Sequence, residues 1–110
     1  MPRRDHHLYH VYIMTNAPRG VLYVGMTGGL DFRVGQHKTG HGAKFTKLYR
    51  ARRLVYWEDF QYVNDALARE KQLKNWRRDW KIDLVEADNP DWQDLAADWK
   101  LQDSDFYRFE

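Results

Sequence analysis

The chain has 110 residues, enough for one domain with a single core and too few for two. It contains no cysteine, which excludes disulfides, thiolate nucleophiles and cysteine-ligated zinc or iron, and leaves His, Asp, Glu and Tyr as the chemical groups. A net charge of +2 conceals a division, because residues 1–81 carry 16 Lys and Arg against 7 Asp and Glu while residues 82–110 carry 2 against 9, so the basic body is suited to a polyanionic partner.

No stretch is apolar for long enough to span a bilayer and no basic-then-apolar leader opens the chain, so the expectation is a cytoplasmic protein with no membrane contact. The expected organisation is one domain over residues 1–99 and an acidic C-terminal tail over 100–110.

In chain order, residues 8–14 (LYHVYIM) alternate as a strand does, with Leu8, His10, Tyr12 and Met14 on one face. Residues 21–25 (VLYVG) read as a second strand, and TNAPRG between them supplies turn residues, so the two form a hairpin. A turn centred between Ala17 and Pro18 puts Tyr12 opposite Tyr23 and His10 opposite Gly25. A slip of one residue from that register sends the two phenols to opposite faces.

GGLDFRVGQHKTG predicts a short helix whose buried side holds Leu30 and Val34, whose neighbouring face holds Arg33 and His37, and which Gly40 ends. Residues 41–53 show no clear period and read as a loop or a frayed helix, basic and interleaved with Phe45 and Tyr49. LVYWEDF, 54–60, predicts a third strand. Asn64 is placed to cap a helix starting at Asp65 and running to 76. Two more helices are expected, at about 79–87 and at 90–99, the latter capped by Asn89 before Pro90 with Trp92, Leu95, Ala96 and Trp99 as its apolar stripe.

The helix over 65–76 contains a chemical anomaly. Its buried stripe runs through Val63, Ala66, Leu67 and Leu73, and Glu70 falls on the same stripe. A carboxylate there needs a cation, either Arg33 or a divalent metal of the Mg²⁺ type, which binds through one or two carboxylates plus waters and phosphates. His6 with His10, and His37 with His41, have the spacing of helical metal pairs, but the first pair lies near a strand, where that spacing separates them.

The ordered set His10-Val11-Tyr12, Tyr23-Val24-Gly25, Arg33, His37 and Glu70 within AREKQLKNWRR closely resembles the GIY-YIG endonuclease superfamily. The likeness extends from Leu8 to Leu95 and is greatest to the small stand-alone bacterial members, which share YVG-T, HK-G, LVYxE, AREKQxKxWRR and NPDWxDL; the GIY-YIG nuclease domain of the excinuclease is a relative. Three departures stand out. His10 replaces the first signature glycine, Met26 stands where some relatives carry lysine, and neither Asn75 nor Asn89 is identifiable as the downstream asparagine.

The resemblance implies an α+β fold, a three-stranded antiparallel sheet flanked by helices, which agrees with the elements read above. It implies a metal-dependent endonuclease that hydrolyses phosphodiesters in DNA processing or repair; the alternative is a nucleic-acid-binding module of the same fold with weak or no hydrolysis. In that scheme Glu70 holds one Mg²⁺ or Mn²⁺, Arg33 binds the phosphoryl group, Tyr12 or Tyr23 orients or deprotonates water, and His37 relays a proton or tunes the tyrosine. A phenol ionises too little at neutral pH unless a cation lowers its pKa, and Arg33 and the metal are the cations at hand. Contacts to the nucleic acid, DNA by likeness, are expected from Lys38, Lys44, Lys47, Arg50, Arg52, Arg53, Lys74, Arg77 and Arg78.

Overall fold

A computed structural model describes residues 8–99. The tail at 100–110 and His6 lie outside the described residues. Strands β1 (Tyr9–Thr15), β2 (Leu22–Thr27) and β3 (Arg53–Phe60) form one antiparallel sheet in the order β2-β1-β3. Helices α1 (Leu30–Lys38) and α2 (Lys44–Tyr49) lie between β2 and β3 in the chain, and α3 (Val63–Asn75) and α4 (Arg78–Asp88) follow β3. The α+β architecture expected from the sequence is the one observed.

Alternation along β1 sends its side chains to two cores. Val11 and Ile13 join Val24, Val55, Ala66, Leu73, Val85 and Trp92 on one face of the sheet, the face that receives α3 and α4. Tyr12 and Met14 join Leu30, Val34, Ala51, Leu54 and Ala96 on the other, the face that receives α1. Central β1 is covered on both sides, and each residue from Val11 to Thr15 is buried.

The hairpin register differs from expectation by two residues: Tyr12 pairs with Gly25, Met14 with Tyr23, and His10 with Thr27. The cause is the turn, which spans Ala17 to Gly20, closes through Gly20 N donating to Ala17 O at 2.8 Å, and puts Pro18 and left-handed Arg19 (φ 54°) at its centre. An even shift preserves the faces, so both phenols still project from the same side.

Three further expectations are corrected. Residues 41–53 contain a defined helix, α2, although it is only six residues long. Helix α3 begins at Val63 with Tyr62 as its cap residue, so Asn64 lies inside it, and its buried positions are Ala66 and Leu73 while Val63 and Leu67 face solvent. Residues 90–99 form a chain of turns instead of a helix. There the side chains take over the backbone's hydrogen bonds. Asn89 Oδ1 accepts from Gln93 N, its Nδ2 donates to Val55 O and Gln93 O, and Asp94 Oδ1 accepts from Leu54 N and Ala96 N. Trp92, at φ 57°, is incompatible with a continuing helix. Leu95 N donates to Leu54 O, so this segment covers the outer edge of β3 at its start.

Candidate active site

Tyr12, at the centre of β1, is 1% exposed, and the reason it fits is Gly25 directly across on β2: a β-carbon on Gly25 would lie 2.5 Å from the Tyr12 hydroxyl oxygen. The YVG glycine therefore makes room for the first phenol, not for the His10 imidazole as the sequence register implied. His10 instead pairs with Thr27 and Asp59 across the sheet, its Nε2 3.2 Å from Asp59 Oδ1.

Helix α1 delivers His37 and Arg33 from one side, four residues apart and one turn of helix from each other. His37 is fully buried and uses both ring nitrogens, Nε2 on the Tyr12 hydroxyl at 2.9 Å and Nδ1 on Thr46 Oγ1 at 2.8 Å. Those contacts leave neither nitrogen for a metal, which disposes of the pairing of His37 with His41. Burial, with the Arg33 charge adding to it, pulls the His37 pKa down to about 4, so the ring is neutral at physiological pH.

Tyr23 reaches the same place from β2, its ring 6.3 Å from that of Tyr12 and 5.3 Å from that of His37. Unlike Tyr12 it is only partly buried, so of the two phenols it is the one that meets solvent. Burial, reinforced by Tyr23, pushes the Tyr12 hydroxyl well above the ordinary phenol value; the nearby Arg33 guanidinium pulls the other way and loses. Tyr12 is thus a neutral phenol, and the Arg33 cation expected to ionise it does not suffice. Arg33 is itself braced by Gln36, its Nη1 donating to Gln36 Oε1 at 2.7 Å.

Glu70 lies on α3 between buried Ala66 and Leu73, and its carboxylate acts on the Tyr12 hydroxyl, raising its pKa. Its ion-pair partner is Lys74, one turn on, at 3.1 Å, and not Arg33. Glu70 is 20% exposed and Lys74 53%, so the carboxylate is reachable and its lysine is free to swing away. A single reachable carboxylate suits a hard cation that fills its remaining positions with water and phosphate, and among the described residues no cluster of three or more His, Cys, Asp or Glu competes for such an ion.

The cations expected to contact nucleic acid separate into two groups. Lys38 is paired with Asp94, Lys74 with Glu70 and Arg77 with Asp79, while Arg53 donates to Trp92 O and Arg78 to Arg19 O. Lys44, Lys47, Arg50 and Arg52 are exposed and have no carboxylate partner among the described residues. The first three belong to α2 or its C-cap. Phe45 on α2 packs on Tyr23 at 5.8 Å and on Tyr49 at 4.8 Å, and it also borders a groove of about 410 Å³ with Trp76, Arg78 and Lys81. Basic and aromatic surface therefore runs outward from the phenols.

Sequence reading missed Thr46, Gln36 and Gly42. Gly42 is required because a β-carbon there would collide with His37 Nδ1. A Gly next to a His in HGAKFT was the available signal for a close approach, whereas Thr46 carried none, since it lies in a segment without periodicity.

A β2-β1-β3 sheet with the tyrosines of two hairpin strands, an arginine and a histidine on the next helix and a glutamate on the one after β3 defines the GIY-YIG class, and residues 8–83 match the GIY-YIG catalytic domain. The chain is 36% identical over 77 residues to a UPF0213 protein of Staphylococcus saprophyticus, an alignment covering 70% of this chain and 93% of that protein. It is 36% identical over 76 residues to a UPF0213 protein of Staphylococcus aureus, covering 69% and 93%. The solution structure of a UPF0213 protein from Bacillus halodurans superposes with a TM-score of 0.50 at 29% identity, covering 83% of this chain and 97% of that one. The chain belongs to the GIY-YIG family, within its branch of small bacterial UPF0213 proteins. Among the described residues no helix is long and apolar enough to cross a membrane.

Proposed function

We propose that this protein is an endonuclease that hydrolyses phosphodiester bonds of nucleic acid, DNA in the first instance, at the cluster of Tyr12, Tyr23, Arg33, His37 and Glu70. The observation that carries the reading is the convergence of residues from β1, β2, α1 and α3 on one hydroxyl: Tyr12 hydrogen-bonds His37, packs beside Tyr23 and feels the charges of Arg33 and Glu70.

Hydrolysis adds a water oxygen to phosphorus, releases the leaving oxygen and returns the water's proton to it, so the site must orient water and offset charge growing on the phosphoryl oxygens. Tyr23, the solvent-facing phenol, orients the water. Arg33, braced by Gln36, holds the phosphoryl group with a fork of donors. Tyr12 and His37, sealed below, set the positions of Arg33 and Tyr23 and keep bulk water out. Glu70 would hold one Mg²⁺ or Mn²⁺, which when bound supplies positive charge to a phosphate oxygen. Lys44, Lys47, Arg50 and Arg52 grip the flanking phosphates, and the absence of a base-reading element in the described residues makes for little sequence preference.

The test is nicking of supercoiled, nicked and branched DNA with Mg²⁺, Mn²⁺ or chelator. Glu70→Ala and Arg33→Ala should each lower kcat by about a hundredfold or more, and chelator should abolish cutting. Equal cutting by the Glu70→Ala protein defeats the assignment. One observation favours the binding-module reading, namely that Lys74 occupies the Glu70 carboxylate; salt-sensitive DNA binding with no metal-dependent nicking would select it.

A further inference from the structure

We propose that Thr46 is a positioning residue for the site, locking His37 in the tautomer that carries its proton on Nδ1 and so presents Nε2 as a bare acceptor to the Tyr12 hydroxyl. The inference follows from one end of a hydrogen-bond chain, where the Ala43 carbonyl can only accept. Thr46 Oγ1 has one hydrogen, and it is spent on Ala43 O at 2.8 Å. Toward His37, 2.8 Å away, Thr46 therefore offers a lone pair, and Nδ1 must supply the hydrogen. A neutral imidazole has only one N–H, so Nε2 is the acceptor and Tyr12 the donor across their 2.9 Å contact.

The opposite arrangement is worse at every link. An Nε2–H would point at the Tyr12 oxygen and leave the Tyr12 hydrogen without the acceptor it has now. The groups facing His37 are Tyr12 from β1, Tyr23 from β2, Arg33 from its own helix and Thr46 from α2; the one charge among them is positive, and with full burial it keeps the ring neutral. Gly42 completes the setting, since only a residue without a side chain lets the loop pass against Nδ1. The short helix α2 thus does two things at once: its outer side carries Lys44 and Lys47, and its single buried side chain, Thr46, reaches inward to the buried histidine.

The kinetic consequence rests on the nuclease reading, but the tautomer belongs to the resting protein and is measured without substrate. Long-range proton–nitrogen NMR of the ¹⁵N-labelled full chain at neutral pH should show His37 with Nδ1 protonated and Nε2 bare. Thr46→Ser should keep that pattern, and Thr46→Val, which fills the space but cannot accept, should move the population toward Nε2–H. In plasmid nicking, Thr46→Val should lower kcat at least about tenfold with KM unchanged, and Thr46→Ser should restore it. An Nε2–H parent overturns the inference, as does a Val variant with an unchanged tautomer. If Thr46→Val fails to fold, the parent and Thr46→Ser spectra still decide. If no variant and no parent cuts DNA, the nuclease reading fails while the spectra judge the tautomer separately.

Discussion

His37 is a histidine kept neutral by its surroundings, and this has a thermodynamic consequence. Its pKa in the folded chain is about 4 against an ordinary value of 6.5, so the folded protein refuses a proton that the unfolded chain accepts. Above pH 6.5 both states are neutral and His37 contributes no pH dependence. As pH falls from 6.5 toward 4 the unfolded chain protonates first, stability declines, and the decline levels off once both states are charged. At about 1.4 kcal/mol per pKa unit the full loss is on the order of 3 kcal/mol. Urea unfolding of the parent should therefore weaken between about pH 7 and about pH 5, a window in which the carboxylates stay ionised, and a His37→Asn chain should show a flatter profile. Parallel profiles would show that His37 is not buried neutral. The same residue illustrates what the sequence could disclose: its spacing from Arg33 put both on one helix face, but nothing in HKTG announces burial, and its partner Thr46 lies nine residues on in a segment with no period.

At the scale of elements, strands and long helices were legible because their signals are repeated. Alternation in LYHVYIM and β-branched or aromatic residues in LVYWEDF located β1 and β3 to within about a residue. Helix α2 was not legible, since six residues give fewer than two turns and its one inward residue is polar. Residues 90–99 misled in the opposite way: Asn-Pro followed by spaced apolar residues imitates a capped helix, but Asn89 and Asp94 spend their side chains on the backbone and on the β3 edge. Asp94 joins three elements of the structure, accepting from Leu54 N at 3.1 Å and Ala96 N at 3.0 Å and pairing with Lys38. Removing it strands a backbone donor at the sheet edge and leaves a half-buried lysine unpaired. Asp94→Ala should cost about 2–4 kcal/mol in thermal or urea unfolding, with Asp94→Asn recovering part of it. A change below about 0.5 kcal/mol would mean the turn segment holds β3 by apolar contact alone.

Across the whole molecule, the charge asymmetry takes on a different meaning once the partners are known. Residues 82–99 carry six carboxylates and no lysine or arginine, and in the fold two of them turn back onto the basic body, Glu86 against Arg19 and Asp94 against Lys38. These two pairs offset two of the nine surplus charges of residues 1–81, while Lys74 and Arg77 are held by acidic neighbours already counted in that balance, Glu70 and Asp79. Of the nine cations expected to contact nucleic acid, the exposed ones without a partner among the described residues are Lys44, Lys47, Arg50 and Arg52, and under the proposed function Arg33 is a fifth on the scissile phosphate. Counterion release turns that number into a measurement, because the logarithm of affinity falls with the logarithm of salt concentration by about 0.9 per phosphate neutralised on duplex DNA. Five contacts predict a slope of about −4.5, whereas all nine candidate cations together with Arg33 would give a slope of about −9. Fluorescence anisotropy with a labelled duplex at several salt concentrations reads the slope directly, and Lys44→Ala, Lys47→Ala and Arg50→Ala should each reduce it by about one while Arg77→Ala leaves it unchanged. A slope of about −9, or an Arg77→Ala effect equal to that of Lys47→Ala, would mean that the internal pairs open on binding and that the acidic segment is a competitor which nucleic acid displaces.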